Sequence, residues 1–265
     1  LKRSNIRAAA QHPNFRLSED DLTTMDLVKA FTGVDVVWHL AGQPGVRLSW
    51  SDGFDLYAHR NIIATQRVLE AARTAGVGRI VYASSSSVYG NAERYPTLET
   101  DRPEPYSPYG VTKLAGEHLC SLYASNWSVP TVALRYFTVY GPRQRPDMAT
   151  HRLINAAFDQ TPFPMFGDGS QERSFTYVDD VVDATFRAGV INDLEPGLVL
   201  NVAGDETCTL AHLIELVEQS VGQSVPLDRR ADQPGDALRT CGSTEQISTH
   251  LQWAPKVSLA AGVAA

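Results

Sequence analysis

The sequence has few cysteines, and their spacing excludes the usual metal and disulfide frameworks. Cys120, Cys208 and Cys241 lie far apart along 265 residues, and no C-x-x-C motif occurs. The seven histidines show no metal-ligand spacing either, so we predict no metal site. His39 follows an apolar run and is interpreted as a hydrogen-bonded structural histidine, and the cysteines are interpreted as reduced thiols.

A long apolar run and an excess of positive charge are absent as well. No apolar run approaches the roughly eighteen residues that a membrane-spanning helix needs. A formal net charge of −7 gives no electrostatic footprint for nucleic acid or for an anionic membrane surface. Length and composition agree with a cytoplasmic globular enzyme of one large or two modest domains, and we predict no nucleic-acid or membrane partner.

The most informative feature that is present lies in residues 107–113 (SPYGVTK). Tyr109 and Lys113 are four residues apart, and on a helix this spacing places a phenol and an ammonium on the same face. A phenol beside a fixed cation ionises more easily than its reference pKa near 10 suggests. Tyr109 is therefore a candidate general base. A motif this short also occurs by chance on solvated helices, so it needs support from elsewhere in the chain.

A serine cluster at residues 84–87 gives that support. It directly follows the apolar run 79–82, which is typical of a buried strand. Hydroxyl groups at the carboxyl end of such a strand point into the crevice where open α/β sheets bind ligands. Bulky apolar residues on both sides of the cluster argue against a flexible linker.

Short apolar runs alternate with helical periodicity along the chain, which predicts βαβ units and a parallel sheet. The predicted elements are strands over 34–41, 79–84 and 132–137 and an amphipathic helix over 210–221. A further helix is predicted after Pro108. Its apolar or small residues at positions 111, 114, 115, 118, 119 and 122 predict the face that packs on the sheet, with Tyr109 and Lys113 just off that stripe.

With Ser85, Tyr109 and Lys113 in place, the chain resembles the extended short-chain dehydrogenase/reductase family, and within it the nucleotide-sugar 4-epimerases. The resemblance covers nearly the whole chain. Its segments are 39–42 (HLAG), 84–90, 107–113, 135–142 (RYFTVYGP), 173–180 (RSFTYVDD), 201–204, 233–236 and 253–259. It implies an α/β fold, a Rossmann-like parallel sheet with a smaller substrate-binding lobe.

The resemblance also implies how the chain is divided. Residues 1–140 would form a partial NAD-binding domain, and residues 141–265 mainly the substrate-binding lobe, with some later segments returning to the first domain. The family's first strand, Gly-rich turn, first helix and second strand are missing, since the chain begins at Leu1 and its first glycine is Gly33. The last helix, after Ser258, is short. We therefore interpret the chain as a fragment, truncated at both ends. Because the missing turn would hold the pyrophosphate, we expect the fragment itself to bind NAD poorly.

The family's activity implies an enzyme that inverts C4 of a UDP-hexose or UDP-hexuronate, with NAD as cofactor, through a transient 4-keto sugar. Ser85, Tyr109 and Lys113 would be the catalytic residues. The cofactor-binding residues would be Asp21, Leu22, Leu40, Ala41, Gly42, Asn61, Ser84, Tyr109, Lys113 and Tyr136. Strict spacing moves the adenine-bracketing acid from Asp21 to Asp20, so both stay candidates. The resemblance further implies a homodimer for the full-length protein.

The residues that the resemblance assigns to the UDP-sugar are Ser86, Ser87, Thr138, Arg145 and Arg173. Residues 143–148 (RQRPDM) resemble the corresponding segment of UDP-glucuronate 4-epimerases, and an arginine fork binds a carboxylate bidentately. We therefore predict that Arg145 binds the sugar carboxylate and Arg173 the diphosphate. Gln233 stands where several UDP-galactose epimerases have a second phosphate-binding arginine, which favours the glucuronate branch.

Other activities stay open at this point. A 4,6-dehydratase of the family has Thr-Asp-Glu where this chain has Ser85-Ser86-Ser87, so the acid/base pair for eliminating water is missing. A UDP-glucuronate decarboxylase shares the oxidation step. Another nucleotide-sugar oxidoreductase, such as a reductase, would release the altered cofactor instead of recycling it. An inactive fragment that only binds the sugar nucleotide is the alternative from a different class.

Overall fold

The computed structural model describes residues 2–231 and 237–265, so the prediction attached to Gln233 lies outside the described residues. The strands are β1 (Val36–His39), β2 (Arg79–Ser85), β3 (Thr131–Tyr136), β4 (Thr138–Tyr140), β5 (Phe163–Phe166), β6 (Glu172–Tyr177), β7 (Leu198–Val202), β8 (Thr207–Thr209), β9 (Leu227–Arg230) and β10 (Arg239–Thr240). The α-helices are α1 (Lys2–Asn5), α2 (Leu27–Phe31), α3 (Phe54–Tyr57), α4 (Ala64–Ala75), α5 (Pro108–Trp127), α6 (Ala149–Asp159), α7 (Val178–Val190), α8 (Leu210–Val221), α9 (Glu245–Leu251) and α10 (Leu259–Ala264). A π-helical turn, Ala58–Ile63, joins α3 to α4.

A parallel sheet with the order β1-β2-β3-β7 organises the site. Its register pairs His39 with Tyr82 and Ser85 with Tyr136, so the carboxyl ends of β1, β2 and β3 lie at one edge. The predicted parallel α/β sheet is confirmed. The predicted strand 34–41 is shorter in the structure because the chain leaves the sheet after His39 and turns into a loop.

Both faces of this sheet are covered, as its nearly continuous apolar strands require. On one face, Ile80 and Tyr82 of β2 pack in a cluster with Leu69 of α4 and Cys120 of α5. On the other face, the intervening residue Val81 packs in a cluster with residues of β3, β7, α7, α9 and Trp253. The side chains of β2 therefore alternate between two buried layers, which is why this strand shows no polar face in the sequence.

The predicted packing face of α5 is partly wrong, because Leu114 and Leu119 pack against core clusters but the two ends of the stripe do not. Val111 and Leu122, both on the predicted apolar stripe, are 48% and 52% exposed. The buried residues of α5 are Gly110, Thr112, Lys113, Gly116, Glu117, Cys120, Tyr123 and Ala124. The prediction treated polar residues as exposed, but Glu117 is buried because its carboxylate forms an ion pair with Arg135 of β3. Gly116 is buried because it packs so tightly on the Tyr82 ring that a Cβ would not fit.

The second half of the chain builds a smaller unit beside the sheet. Strands β10, β6 and β4 pair in that order, β8 pairs antiparallel with β6, and β5 pairs with β9. Their apolar side chains share a core with α6, the confirmed amphipathic helix α8 and α10. β7, α7 and α9 instead pack with the first sheet, so later segments do return to it. The division of labour between the two parts stays a prediction.

Two further features are absent from the described residues. None of the helices in the described ranges is long and apolar enough to cross a membrane. Within the same ranges, no group of three or more His, Cys, Asp or Glu side chains is placed to hold a metal ion.

Candidate active site

Two cavities meet at the carboxyl edge of the sheet. The serine cavity, about 560 Å³, is lined by residues that include Ser84, Ser85, Ser86, Ser87, Thr138, Arg145 and Arg173. The tryptophan cavity, about 630 Å³, is lined by residues that include Trp38, Leu40, Gly42, Lys113, Val181 and Phe186. The residues that line both are Pro44, Ser84, Tyr109, Tyr136 and Val139. Ligands in the two cavities would therefore face each other across Tyr109.

The start of α5 fixes where Tyr109 and Lys113 lie. Ser107 is the N-cap, its side chain accepting a hydrogen bond from the Gly110 N–H, and Pro108 occupies the first helical position, where its missing N–H costs nothing. Tyr109 thus stands in the first turn, beside the end of β2, and Lys113 follows one turn deeper. The sequence prediction that Ser85, Tyr109 and Lys113 lie together agrees with this geometry.

Lys113 is a buried cation, 6% exposed. Its Nζ donates to the Ala83 carbonyl at 2.9 Å and lies 5.3 Å from the centroid of the Tyr82 ring. Burial lowers the pKa of Lys113 to about 8, although the charge of Glu117 acts in the opposite direction. Among the described residues, no carboxylate forms an ion pair with Lys113, so its charge stays near the phenol without a directly contacting anion.

The expectation that the pKa of Tyr109 lies below its usual value is wrong for the protein alone. Burial raises the pKa of Tyr109, whereas a hydrogen bond from Ser85 and the charge of Arg145 lower it by less. The physical reason is that desolvation of the phenolate dominates, and that the Lys113 ammonium is directed to the Ala83 carbonyl. Further positive charge nearby would be needed to lower the pKa of Tyr109 and populate its phenolate near neutral pH.

A buried ion pair holds α5 on the sheet one helical turn after Lys113. Arg135 of β3 contacts Glu117 of α5 through two nitrogens, Nη2 to Oε2 at 2.8 Å and Nε to Oε1 at 3.0 Å. Ser84 donates to the same carboxylate, and Arg135 also donates to the Tyr89 hydroxyl at 2.7 Å. The carboxylate therefore ties α5 to both β2 and β3.

The loop after β1 lies against Asn61 of the π-helical turn. Asn61 is buried, and its amide accepts from the Gln43 N–H at 2.6 Å and donates to the Gln43 carbonyl at 3.0 Å. A Cβ at Gly42 would lie 2.9 Å from the Asn61 Oδ1 and 3.3 Å from the Lys113 Nζ, so only glycine fits without a shift. Leu40, Ala41 and Gly42 are exposed at the edge of the tryptophan cavity.

The predicted adenine-side residues lie apart from the two cavities. Asp21 is exposed and accepts from the Thr23 N–H at 2.8 Å, and the Leu22 carbonyl accepts from the Arg67 Nε at 3.0 Å. Neither residue lines the serine or the tryptophan cavity. The assignment of Asp21 and Leu22 stays a prediction.

The two predicted substrate arginines are oriented by the protein. The Nη2 of Arg145 is 3.0 Å from Asp147 Oδ2 and 3.4 Å from the sulfur of Met148. Arg173 donates to the carbonyls of Ala237 at 2.6 Å and Leu238 at 3.3 Å. These backbone carbonyls orient the guanidinium of Arg173, which lines the serine cavity.

His39 is structural, as predicted. Its Nε2 lies 2.9 Å from the Thr65 Oγ1, and its ring packs against Tyr82. Burial lowers the pKa of His39 to about 4, with a smaller contribution from the charge of Lys113, so the imidazole is neutral at physiological pH.

Sequence reasoning missed Tyr57 and the loop at residues 43–46. The hydroxyl of Tyr57 contacts the carbonyls of Pro44 and Gly45, and its ring stands edge-on to Tyr109 at 6.1 Å. A signal was present, because Tyr57 precedes the singled-out Asn61 by one helical turn. Tyr136, which was predicted, lines both cavities and shares a hydrogen bond with Thr185 at 2.8 Å.

The fold and the site together define an α/β enzyme of the short-chain dehydrogenase/reductase type. The sequence pattern of the NAD dependent epimerase/dehydratase family matches residues 2–203, and the chain belongs to that family.

Named relatives and solved structures agree with this assignment. The uncharacterized UDP-glucose epimerase YtcB of Bacillus subtilis (strain 168) is 40% identical over 269 residues, which span 99% of this chain and 83% of the relative. A probable UDP-glucuronate 4-epimerase of Rhizobium meliloti (strain 1021) is 32% identical over 92% of this chain and 77% of its own length. The crystal structure of a UDP-glucuronic acid 4-epimerase from Bacillus cereus, in complex with UDP-glucuronic acid and NAD, superposes with a TM-score of 0.96 at 42% identity, over 99% of this chain and 83% of that one.

Proposed function

We propose that this protein is an NAD-dependent UDP-sugar 4-epimerase and that UDP-glucuronate is its preferred substrate. The observation that carries the proposal is the convergence of Ser85, Tyr109 and Lys113 on the boundary between the two cavities. The similarity to UDP-glucuronate 4-epimerases supports it, since the solved structure from Bacillus cereus has both UDP-glucuronic acid and NAD bound.

The tryptophan cavity fits the nicotinamide end of NAD. Its walls are apolar and include Val181 and Phe186, while Lys113 and Ser84 supply polar groups at its inner end. A flat, partly charged ring needs this combination of apolar contact and a few polar groups. The residues that would hold the cofactor are Asp21, Leu22, Leu40, Ala41, Gly42, Asn61, Ser84, Tyr109, Lys113 and Tyr136.

When bound, NAD accepts a hydride from C4 of the sugar and later returns it. Tyr109 takes the proton of the sugar 4-hydroxyl and gives it back in the second half of the reaction. Ser85 shares that proton through its hydrogen bond, and the charge of Lys113 stabilises the phenolate. The 4-keto sugar turns over between the two steps and presents its other face. C4 is inverted, and no reagent is consumed.

Substrate discrimination would come from Arg145 and its neighbours in the serine cavity. Arg145 lies close enough to Tyr109 for its charge to lower the pKa of that phenol, so a carboxylate bound to Arg145 would place the sugar beside the base. Ser86, Ser87 and Thr138 add hydroxyl groups to the same cavity, and Arg173 supplies a cation for the diphosphate. Ser86 and Ser87 cannot serve as the acid/base pair that elimination of water requires, which favours epimerisation over dehydration.

The same proposal includes a homodimer and a cytoplasmic location. Val111 and Leu122 lie three turns apart on the outer face of α5, and Leu56 and Ile63 are exposed on the neighbouring helical segment. A second copy would bury this apolar surface. Light scattering that gives twice the chain mass would support the dimer, and a monomer would contradict it. A cytoplasmic location is proposed because both proposed ligands, NAD and a UDP-sugar, are available there.

The direct test uses the protein expressed from its complete reading frame. With UDP-glucuronate and NAD we expect formation of UDP-galacturonate, with no net reduction of the cofactor and no release of carbon dioxide. Stoichiometric carbon dioxide would identify a decarboxylase instead. Net reduced cofactor would identify a dehydrogenase. Binding of the sugar nucleotide without turnover would contradict the proposed activity and would identify a protein that only binds the sugar nucleotide.

The role of Arg145 can be measured by substitution with leucine. Arg145→Leu is expected to lower kcat/KM for UDP-glucuronate, with a loss of transition-state stabilisation of about 2–5 kcal/mol, because the carboxylate would enter the cavity unpaired. Turnover of UDP-glucose, which has no carboxylate, is expected to change far less and serves as the internal control. Arg145→Lys should restore part of the loss, since a lysine keeps the charge but not the bidentate geometry. Equal losses on both sugars would make Arg145 a structural residue.

A further inference from the structure

The loop at residues 43–46 separates the two cavities. Pro44 lines both of them, whereas Gly45 and Val46 line the serine cavity alone. Gly45 has a φ of 106°, in the region that side chains disfavour, so the loop depends on glycine for its path. A sugar in the serine cavity would therefore contact this loop.

Three side chains from a single helical segment hold the loop. Tyr57 donates to the Gly45 carbonyl at 2.7 Å and lies 3.1 Å from the Pro44 carbonyl, so one hydroxyl contacts two consecutive peptide groups. Arg60 donates to the side-chain oxygen of Gln43 at 2.8 Å, and Asn61 bonds to the Gln43 backbone in both directions. The segment includes the π-helical turn, and such turns are frequent at functional sites.

The same segment is connected to the first turn of α5, which carries Tyr109. Asn61 donates to the Thr112 hydroxyl at 2.9 Å, and Thr112 donates to the Tyr109 carbonyl at 2.8 Å. The ring of Tyr57 stands edge-on to the ring of Tyr109. The loop and the candidate base are therefore positioned by one set of side chains, although they are distant in the sequence.

Tyr57 has the properties of a positioning residue. It is 1% exposed, so its hydroxyl needs protein partners, and the acceptors it contacts are loop carbonyls. Burial raises the pKa of Tyr57, which keeps the hydroxyl protonated and able to donate. If packing alone mattered, a phenylalanine would serve equally well, since the ring contact with Tyr109 does not involve the oxygen.

We propose that Tyr57 holds the loop at residues 43–46 closed over the serine cavity, so that the 4-keto sugar stays bound until it is reduced. The proposal rests on the proposed function. An epimerase must let this ketone turn over inside the pocket, and during that step the sugar ring has the fewest fixed contacts. The first half-reaction moves a hydride and a proton from the C4 alcohol, so each ketone that escapes leaves one reduced cofactor behind. A loosely held loop would therefore raise the fraction of reduced enzyme.

Tyr57→Phe tests this, with Tyr123→Phe as the matched control. Tyr123 is also a buried tyrosine whose hydroxyl is hydrogen-bonded, to Glu70 at 2.9 Å, but it lies far along α5 from the site. The first readout is hydrogen exchange of the backbone amides at 43–49 in the protein without added ligand. Tyr57→Phe is expected to accelerate this exchange roughly tenfold, the effect of losing one buried hydrogen bond, and Tyr123→Phe to leave it unchanged.

The second readout is the absorbance of reduced nicotinamide that accumulates per turnover of UDP-glucuronate. Tyr57→Phe is expected to raise it roughly tenfold while the initial epimerisation rate falls much less. Unchanged exchange, or an unchanged reduced fraction beside normal epimerisation, would overturn the proposal. If wild-type protein does not epimerise, the proposed function fails, and the exchange experiment still tests the loop. Should Tyr57→Phe not fold, Arg60→Ala removes an exposed contact to Gln43, and faster exchange at 43–49 is again expected.

Discussion

Tyr109→Phe is expected to lower kcat for UDP-glucuronate by ~10²–10⁴-fold, the usual contribution of a general base. The variant lacks the hydroxyl that receives the sugar proton, yet the ring still packs between the two cavities and edge-on to Tyr57. Binding of NAD and of UDP-glucuronate should therefore stay close to that of the unmodified protein. Single-turnover kinetics with calorimetric titration of both ligands separates the two quantities.

The control for this prediction is again Tyr123→Phe, which removes a buried phenol from the same helix without approaching the site. It should leave kcat unchanged. A Tyr109→Phe variant that keeps its rate would exclude Tyr109 as the base and would point to Ser85 or to a water molecule. A variant that loses both binding and turnover would show a packing role, because chemistry alone does not explain lost affinity.

The sequence predicted that Ser85, Tyr109 and Lys113 lie close together because their signals are local. Tyr109 and Lys113 are separated by one helical turn, and Ser85 ends a strand whose apolar run is visible without knowledge of its neighbours. Short-range geometry of this kind survives almost any tertiary arrangement. Family resemblance added Arg145 and Arg173, and both line the serine cavity.

The features that could not be predicted depend on contacts between distant segments. The direction of the Tyr109 pKa follows from burial and from the Ala83 carbonyl that takes the Lys113 ammonium. The role of Tyr57 was not predicted because its partners are backbone carbonyls, and every residue has one, so no side-chain pattern marks the contact. The exposed residues Val111 and Leu122 of α5 were predicted to be buried because the sequence around Glu117 does not show that Arg135 will neutralise its carboxylate in the core.

The second large effect is expected on stability, at the buried ion pair between Arg135 and Glu117. Arg135→Met and Glu117→Met are each expected to lower the free energy of unfolding by about 3–5 kcal/mol, because each leaves one charge buried without its partner. The two side chains are 5% and 4% exposed, so water cannot replace the missing group. The double variant, with neither charge, is expected to be much less destabilised than the sum of the single variants. Urea unfolding of the four proteins gives the coupling energy directly.

The double variant also separates stability from catalysis. Glu117 accepts from Ser84, and its charge raises the pKa of Lys113 against the effect of burial. Without Glu117 the pKa of Lys113 should fall further, so less of the ammonium is present at neutral pH to stabilise the Tyr109 phenolate. A stable but slow double variant is therefore the expected result. Additive losses in the free energy of unfolding would show that Arg135 and Glu117 contribute independently. Unchanged turnover of the double variant would show that the Glu117 carboxylate has no role in the chemistry at Tyr109 and Lys113.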